Sequence, residues 1–266
     1  MNALDSEIST MLAALKKATD QHTAEYPTGQ LPPPGRTYVN NALNAAATIP
    51  TLITSAYDRL ETLRANDTLH PDGRKRMMDE LLSDAEQKAD EKVSQIEGNA
   101  TVARATFITG AFPKMTKGQE MTAREDARMI LDRDDNPIGT ISRLALRQDD
   151  VGALVVTQWG QDYLRSRGCD DRDIKTAQAA IVGQALNGAA GQVADNDRAE
   201  AARGAMAAQS LTGIAGAAAQ VAGRLLQSMR EHYGIPRVAT ARPRDPRRPA
   251  APTVLGEDID TIGLTY

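Results

Sequence analysis

Three oxygen-bearing side chains, Asp132, Asp134 and Asn136, stand at the one-three-five spacing that opens an EF-hand calcium loop. The match stops there. The sixth position is Pro137, where such a loop needs Gly for its sharp turn, and the twelfth is Arg143, where a bidentate Glu belongs. Calcium is therefore not expected. His22, His70 and His232 lie far apart with no second His or Cys at ligand spacing, so no metal site is assigned and all three are read as surface residues. Cys169, the single cysteine, excludes an intrachain disulfide and a cysteine-rich zinc site and points to a reducing compartment. Asp170 and Asp171 beside it disfavour the thiolate that a nucleophile needs. Gly183, Gly188 and Gly191 lack the Lys-Ser/Thr that completes a phosphate loop and are read as packing glycines. Acidic pairs such as Glu125 with Asp126 and Asp134 with Asp135 fit solvated faces. No catalytic, cofactor-binding or metal-binding residue is assigned, and the chain is expected not to be an enzyme.

The chemistry that does concentrate is electrostatic. Arg237, Arg242, Arg244, Arg247 and Arg248 alternate with Pro236, Pro243, Pro246, Pro249 and Pro252, a composition that favours an extended polyproline-type segment and forbids helix. Residues 1–235 carry a net charge of -5, residues 236–252 of +4 and residues 253–266 of -3. Five arginines can neutralise phosphates, which allows non-specific nucleic-acid contact, but no aromatic residue lies between them to stack bases. An acidic protein face is the preferred partner for this electrostatic arm. Beyond it, Val254, Leu255, Ile259, Ile262, Leu264 and Tyr266 form an apolar-acidic tip with the chemistry of a docking peptide. Each large side chain buried there would contribute about 1.5 to 3 kcal/mol. The segment offers little apolar area of its own between Pro236 and Ala251, so its order is expected to come from a partner.

What must carry such an arm is helical. The 266 residues include 43 Ala and 20 Gly against nine aromatics (six Tyr, two Phe, one Trp), a composition that argues against sheets filled by aromatic and β-branched side chains. Leu4, Ile8, Met11, Leu12 and Leu15 recur at steps that predict a helix running to about Ala24. Tyr26 to Gly35, with four prolines, is expected to be an extended connector. Helix resumes from Thr37 to Asn66 and is expected to split at Pro50. Met78, Leu82, Ala85, Ala89, Val93, Ile96, Ala100 and Ala103 then alternate three- and four-residue steps, the period of a coiled-coil seam. A helix from Arg74 to Thr109 would be roughly 54 Å long. It is expected to cross between subunits or subdomains, or else to form one side of a long hairpin.

Two shorter helices are expected between Gln119 and Asp150, with a small hairpin over Met129 to Ile141 as the alternative. Asp149 or Asp150 caps the next helix, which ends near Gly168 and places Trp159 at the centre of the main core. Two uncharged runs follow, Thr176 to Ala194 and Gly204 to Gly223. The second has the length of a bilayer span but holds Gln209, Ser210, Thr212 and Gln220, so close helix packing is expected and stable membrane insertion is not. The predicted fold is all-α, an elongated helical bundle with one long coiled-coil-like helix and an extended C-terminal arm. Its expected regions are 1–110, 111–234 and 235–266.

This layout of helical body, seam-bearing helix, small-residue packing faces and proline-arginine arm with a docking tip resembles helical proteins of tailed-phage heads, in particular head–tail connector or adaptor proteins. That resemblance implies a virion structural protein that forms a homo-oligomeric ring and docks on another virion protein through its arm. Met1 to Glu25 carries charges at Asp5, Glu7, Lys16, Lys17 and Asp20 and shows no secretory signal, so cytoplasmic synthesis is expected, and the resemblance implies residence in the virion. A phage scaffolding or minor capsid protein is the neighbouring alternative. A membrane-active ejection or pore protein, built on the two uncharged runs, is the other.

Overall fold

Leu4, Ile8 and Leu15 are buried along one stripe, and that stripe makes residues Ala3–Glu25 the first helix, α1. This computed structural model describes residues 3–191 and 196–236, which form nine α-helices and one 3-10 turn with no strand among them. The all-α class is thereby shown. All of the tip residues 254–266 and the arginines 237, 242, 244, 247 and 248 lie outside the described residues.

The connector after α1 differs from the extended chain expected. Thr28–Gln30 is a 3-10 turn, and α2 (Pro33–Arg64) already begins at Pro33. Prolines at the first positions of a helix lose nothing, because the amides they lack have no intrahelical partner there. The split at Pro50 does not occur either. Val39, Ala42, Ala46, Ile49, Ile53, Ala56 and Leu60 keep one buried stripe in register through the proline. Packing along that stripe outweighs a cost of about 3 kcal/mol for an interior proline.

Helix α3 (Pro71–Ala111) carries the apolar stripe from Met78 to Ala103. Its Met78, Leu82, Ala85, Ala89, Ile96, Ala100 and Ala103 are buried, and Val93 is half-buried. Thr116 and Gln119 then form a capping box that starts α4 (Lys117–Leu131). The Asp-Asp-Asn-Pro turn is a helix start and not a hairpin: the Asn136 side chain accepts from the Gly139 amide at 3.0 Å and α5 (Pro137–Leu144) follows. Asp149 caps α6 (Asp150–Val155) by accepting from Gly152 at 3.0 Å. Helix α7 (Gln158–Ser166) closes through Gly168 at φ +78°, with the Cys169 amide reaching back to the Leu164 carbonyl at 3.1 Å. Helices α8 (Asp171–Ala190, capped by Asp170) and α9 (Asn196–His232) complete the order.

The fold divides into two compact units. One comprises residues 3–104 and 207–236, the other residues 105–191 and 196–206. This grouping is not consecutive in sequence, unlike the 1–110 and 111–234 regions read from composition, because α9 contributes its later turns to the first unit. In that unit Leu15, Ile49, Ile53, Leu60, Leu82 and Ile96 are among the largest fully buried side chains. The second unit is built on Leu131, Ile141, Leu154, Leu164, Ile174 and Ile181. Trp159 is not its centre. The indole is only partly buried at the edge of that cluster, stacked on Tyr163 with ring centroids 5.6 Å apart, because branched aliphatic side chains fill the space a bulky indole cannot.

Small residues act in two ways. At Gly204 a Cβ would stand 2.7 Å from the Phe107 ring, and at Gly188 it would stand 2.5 Å from the Gln148 amide, so both admit a close neighbour. Gly183, Gly213, Gly216 and Gly223 meet nothing within 4 Å, which corrects the reading of Gly183 as a packing glycine. Among the described residues no helix is long and apolar enough to cross a membrane.

Candidate functional site at the seat of the arm

The residues expected to form the electrostatic arm and the tip begin one residue beyond Pro236, and the structure describes the last turn of α9 that precedes them. Arg230 sits in that turn, favourably for a cation at a helix C-terminus. Its side chain is buried against α3, where Asp79, Ser83 and Glu86 follow one another at four- and three-residue steps on one face. The guanidinium donates from Nε to Glu86 at 2.8 Å, from Nη1 to Asp79 at 2.5 Å and from Nη2 to the Ser83 hydroxyl at 3.0 Å. Burial opposes its charge, but the bonds to Glu86 and Asp79 outweigh it and hold the guanidinium pKa above its ordinary value.

Three residues further on, the Tyr233 hydroxyl donates to Glu61 of α2. Burial and then that carboxylate raise the phenol pKa far above its usual value. Gly234 adopts φ +65°, the left-handed conformation that ends a helix without steric cost. Its amide donates to the Glu231 carbonyl at 3.2 Å and that of Ile235 to the Arg230 carbonyl at 2.9 Å, the paired bonds of a Schellman motif. Ile235 is buried behind the turn. Asp79, Glu86 and Glu61 are thus engaged by Arg230 and Tyr233, an arrangement suited to fixing where the chain leaves α9 and not to proton transfer.

The sequence reading missed this site. Glu86 is only 23% exposed at its side chain, although its position off the apolar stripe of α3 would suit a solvated flank. The available signal was an arginine set directly after Leu225, Leu226 and Met229, all buried, on the apolar stripe of α9.

Other candidate groups meet different fates. Asp132 accepts from the Tyr163 hydroxyl at 2.6 Å, and Asp134 accepts from Thr140, from Arg143 at 2.7 Å and from the Asn136 amide at 2.9 Å. Thr140 first, then the Asn136 amide and Arg143, hold the Asp134 carboxyl below the usual carboxylate range. The residue that breaks the calcium pattern, Arg143, is the one that engages the loop's second carboxylate. Cys169 is a half-buried free thiol at the closing turn of α7. His70 is exposed, but His22 is not a surface residue: it is 5% exposed between α1 and α9. Among the described residues no cluster of three or more His, Cys, Asp or Glu is placed to hold a metal ion. A shallow open depression beside Pro50 is lined by α2 alone, including Thr54, Asp58 and Arg59, and so brings no polar groups together from different elements. Comparison of the chain with protein-family models, curated proteins and solved structures finds no match.

Proposed function

We propose that this chain is a non-enzymatic structural assembly protein, similar in kind to the head–tail connectors or adaptors of tailed phages, which self-associates and joins a second assembly protein through residues 235–266. The observation that carries the reading is the seat at the end of α9. There a buried Arg230 clamp, the Tyr233–Glu61 bond and a Schellman turn fix the chain immediately before a segment whose five arginines and following apolar-acidic tip suit docking. Rigid presentation lowers the ordering cost of binding, since the turn that leads into the segment is already fixed. The arginines suit an acidic protein face, and the tip supplies the apolar area.

Native mass spectrometry and negative-stain microscopy of the purified full chain, beside a variant lacking residues 253–266, test this. A closed homo-oligomer for the full chain, with the truncated chain keeping its helicity but losing capture of the docking protein, supports the reading. A full chain that stays monomeric at high micromolar concentration, or a truncated chain that assembles as the full one does, refutes it. Mobility shift with duplex DNA separates the nucleic-acid alternative, and flotation with liposomes separates the ejection-protein one.

A further inference from the structure

The His22 imidazole lies in the last turn of α1, and one ring nitrogen, Nδ1, is hydrogen-bonded to the Ser210 hydroxyl of α9 while the other, Nε2, is buried without a partner. We propose that His22 is a pH-sensitive latch, whose protonation in mildly acidic solution loosens α1 from its packing and uncovers Leu4, Ile8 and Leu15.

The geometry disfavours the imidazolium in three ways. Ser210 donates to the Ala207 carbonyl at 3.2 Å, so its lone pair accepts from Nδ1–H of His22 and the network assigns Nε2 as the unprotonated nitrogen. A proton added at Nε2 would be a buried donor with no acceptor. The helices around it supply no compensating charge: α9 has no charged residue from Gly204 to Gly223, and α2 has none from Thr37 to Tyr57. Arg36, just before that stretch, gives its Nε and Nη2 to the Leu31 carbonyl. On its own helix His22 faces Glu25, which favours the cation, and it lies 5.4 Å from the Tyr26 ring just beyond. Burial outweighs Glu25 and holds the imidazole below its ordinary value of 6.5.

The sign follows by linkage. The ring stays neutral while α1 is docked and takes up a proton below about pH 6.5 once α1 is free. Docking is therefore fully stabilised above about pH 6.5 and weakens as the pH falls from there towards the lowered folded value, by up to about tenfold in the closed-to-open ratio per pH unit. Two further contacts hold α1: Tyr57 donates to Asp5, and Arg224 pairs with Glu7 at 2.9 Å.

Hydrogen exchange of the full chain at pH 7 and pH 5, corrected for the intrinsic rate, tests the latch beside an imidazole titration by NMR. Protection over residues 3–25 should fall about tenfold in the wild type, while residues 158–190 keep theirs and His22→Gln shows no such change. Ser210→Ala, which retains the titrating ring, should retain the loss. An equal loss in His22→Gln, or a His22 ring that titrates at or above 6.5, overturns the proposal. Should His22→Gln fail to fold, the wild-type titration decides alone.

Discussion

Arg230 and Glu86, separated by 144 positions in sequence, meet at 2.8 Å with the arginine side chain only 4% exposed, and this pair ties the end of α9 to the middle of α3. Removing one member of a buried pair leaves the other charge without compensation, a larger effect than the loss of a surface salt bridge. Arg230→Ala should lower stability by about 3 kcal/mol in urea denaturation, and Lys16→Ala, which breaks an exposed pair with Asp20, by under about 1 kcal/mol.

Two glycines should be intolerant of even a methyl group. A Cβ at Gly152 would stand 1.9 Å from the Arg147 carbonyl oxygen, and one at Gly160 would stand 2.1 Å from that of Val155. Neither oxygen belongs to a side chain that can swing away. Gly152→Ala and Gly160→Ala should each cost about 1 to 3 kcal/mol by thermal melting, whereas exposed Gly216→Ala should stabilise by about 0.5 to 1 kcal/mol.

Pro50 should be a removable defect. The buried stripe of α2 passes through it without a change of phase, so Pro50→Ala would regain an intrahelical hydrogen bond while keeping the packing of Ile49 and Ile53. We expect a gain of about 1 kcal/mol or more, read as a raised melting temperature with unchanged circular dichroism.

Alkaline stability should depend on Tyr233. Its folded pKa is raised, so its contribution is whole below the ordinary phenol value of 10.0 and is lost as pH rises above that value towards the folded one. Denaturation midpoints of the wild type should fall between pH 10 and 11.5 more steeply than those of Tyr233→Phe.

The parts of this fold that sequence made legible are those governed by local spacing. The apolar stripe from Met78 to Ala103 is buried except for the half-buried Val93, and Asp149 caps α6 because an Asp before an apolar run has one amide to satisfy. Pro50 misled because its local cost is opposed by distant packing that no window of neighbours contains. His22 and Arg230 were missed for a related reason. Their partners, Ser210 and Glu86, lie 188 and 144 residues away, and polar residues paired over such distances carry no periodicity of their own. Trp159 lies at the edge of its cluster and not at the centre, a distinction that its position along the helix does not carry.

Gly152 and Gly160 carry an evolutionary consequence. Each stands five residues after the carbonyl it abuts, so the same tight corner is made twice within eight positions of the chain. Exposed helix faces can exchange most residues for others at little cost, but these two corners accept only hydrogen. In descendants of this chain that keep the fold, neutral drift should therefore erode the helical surfaces while leaving that glycine pair, at that spacing, as a durable ancestral mark.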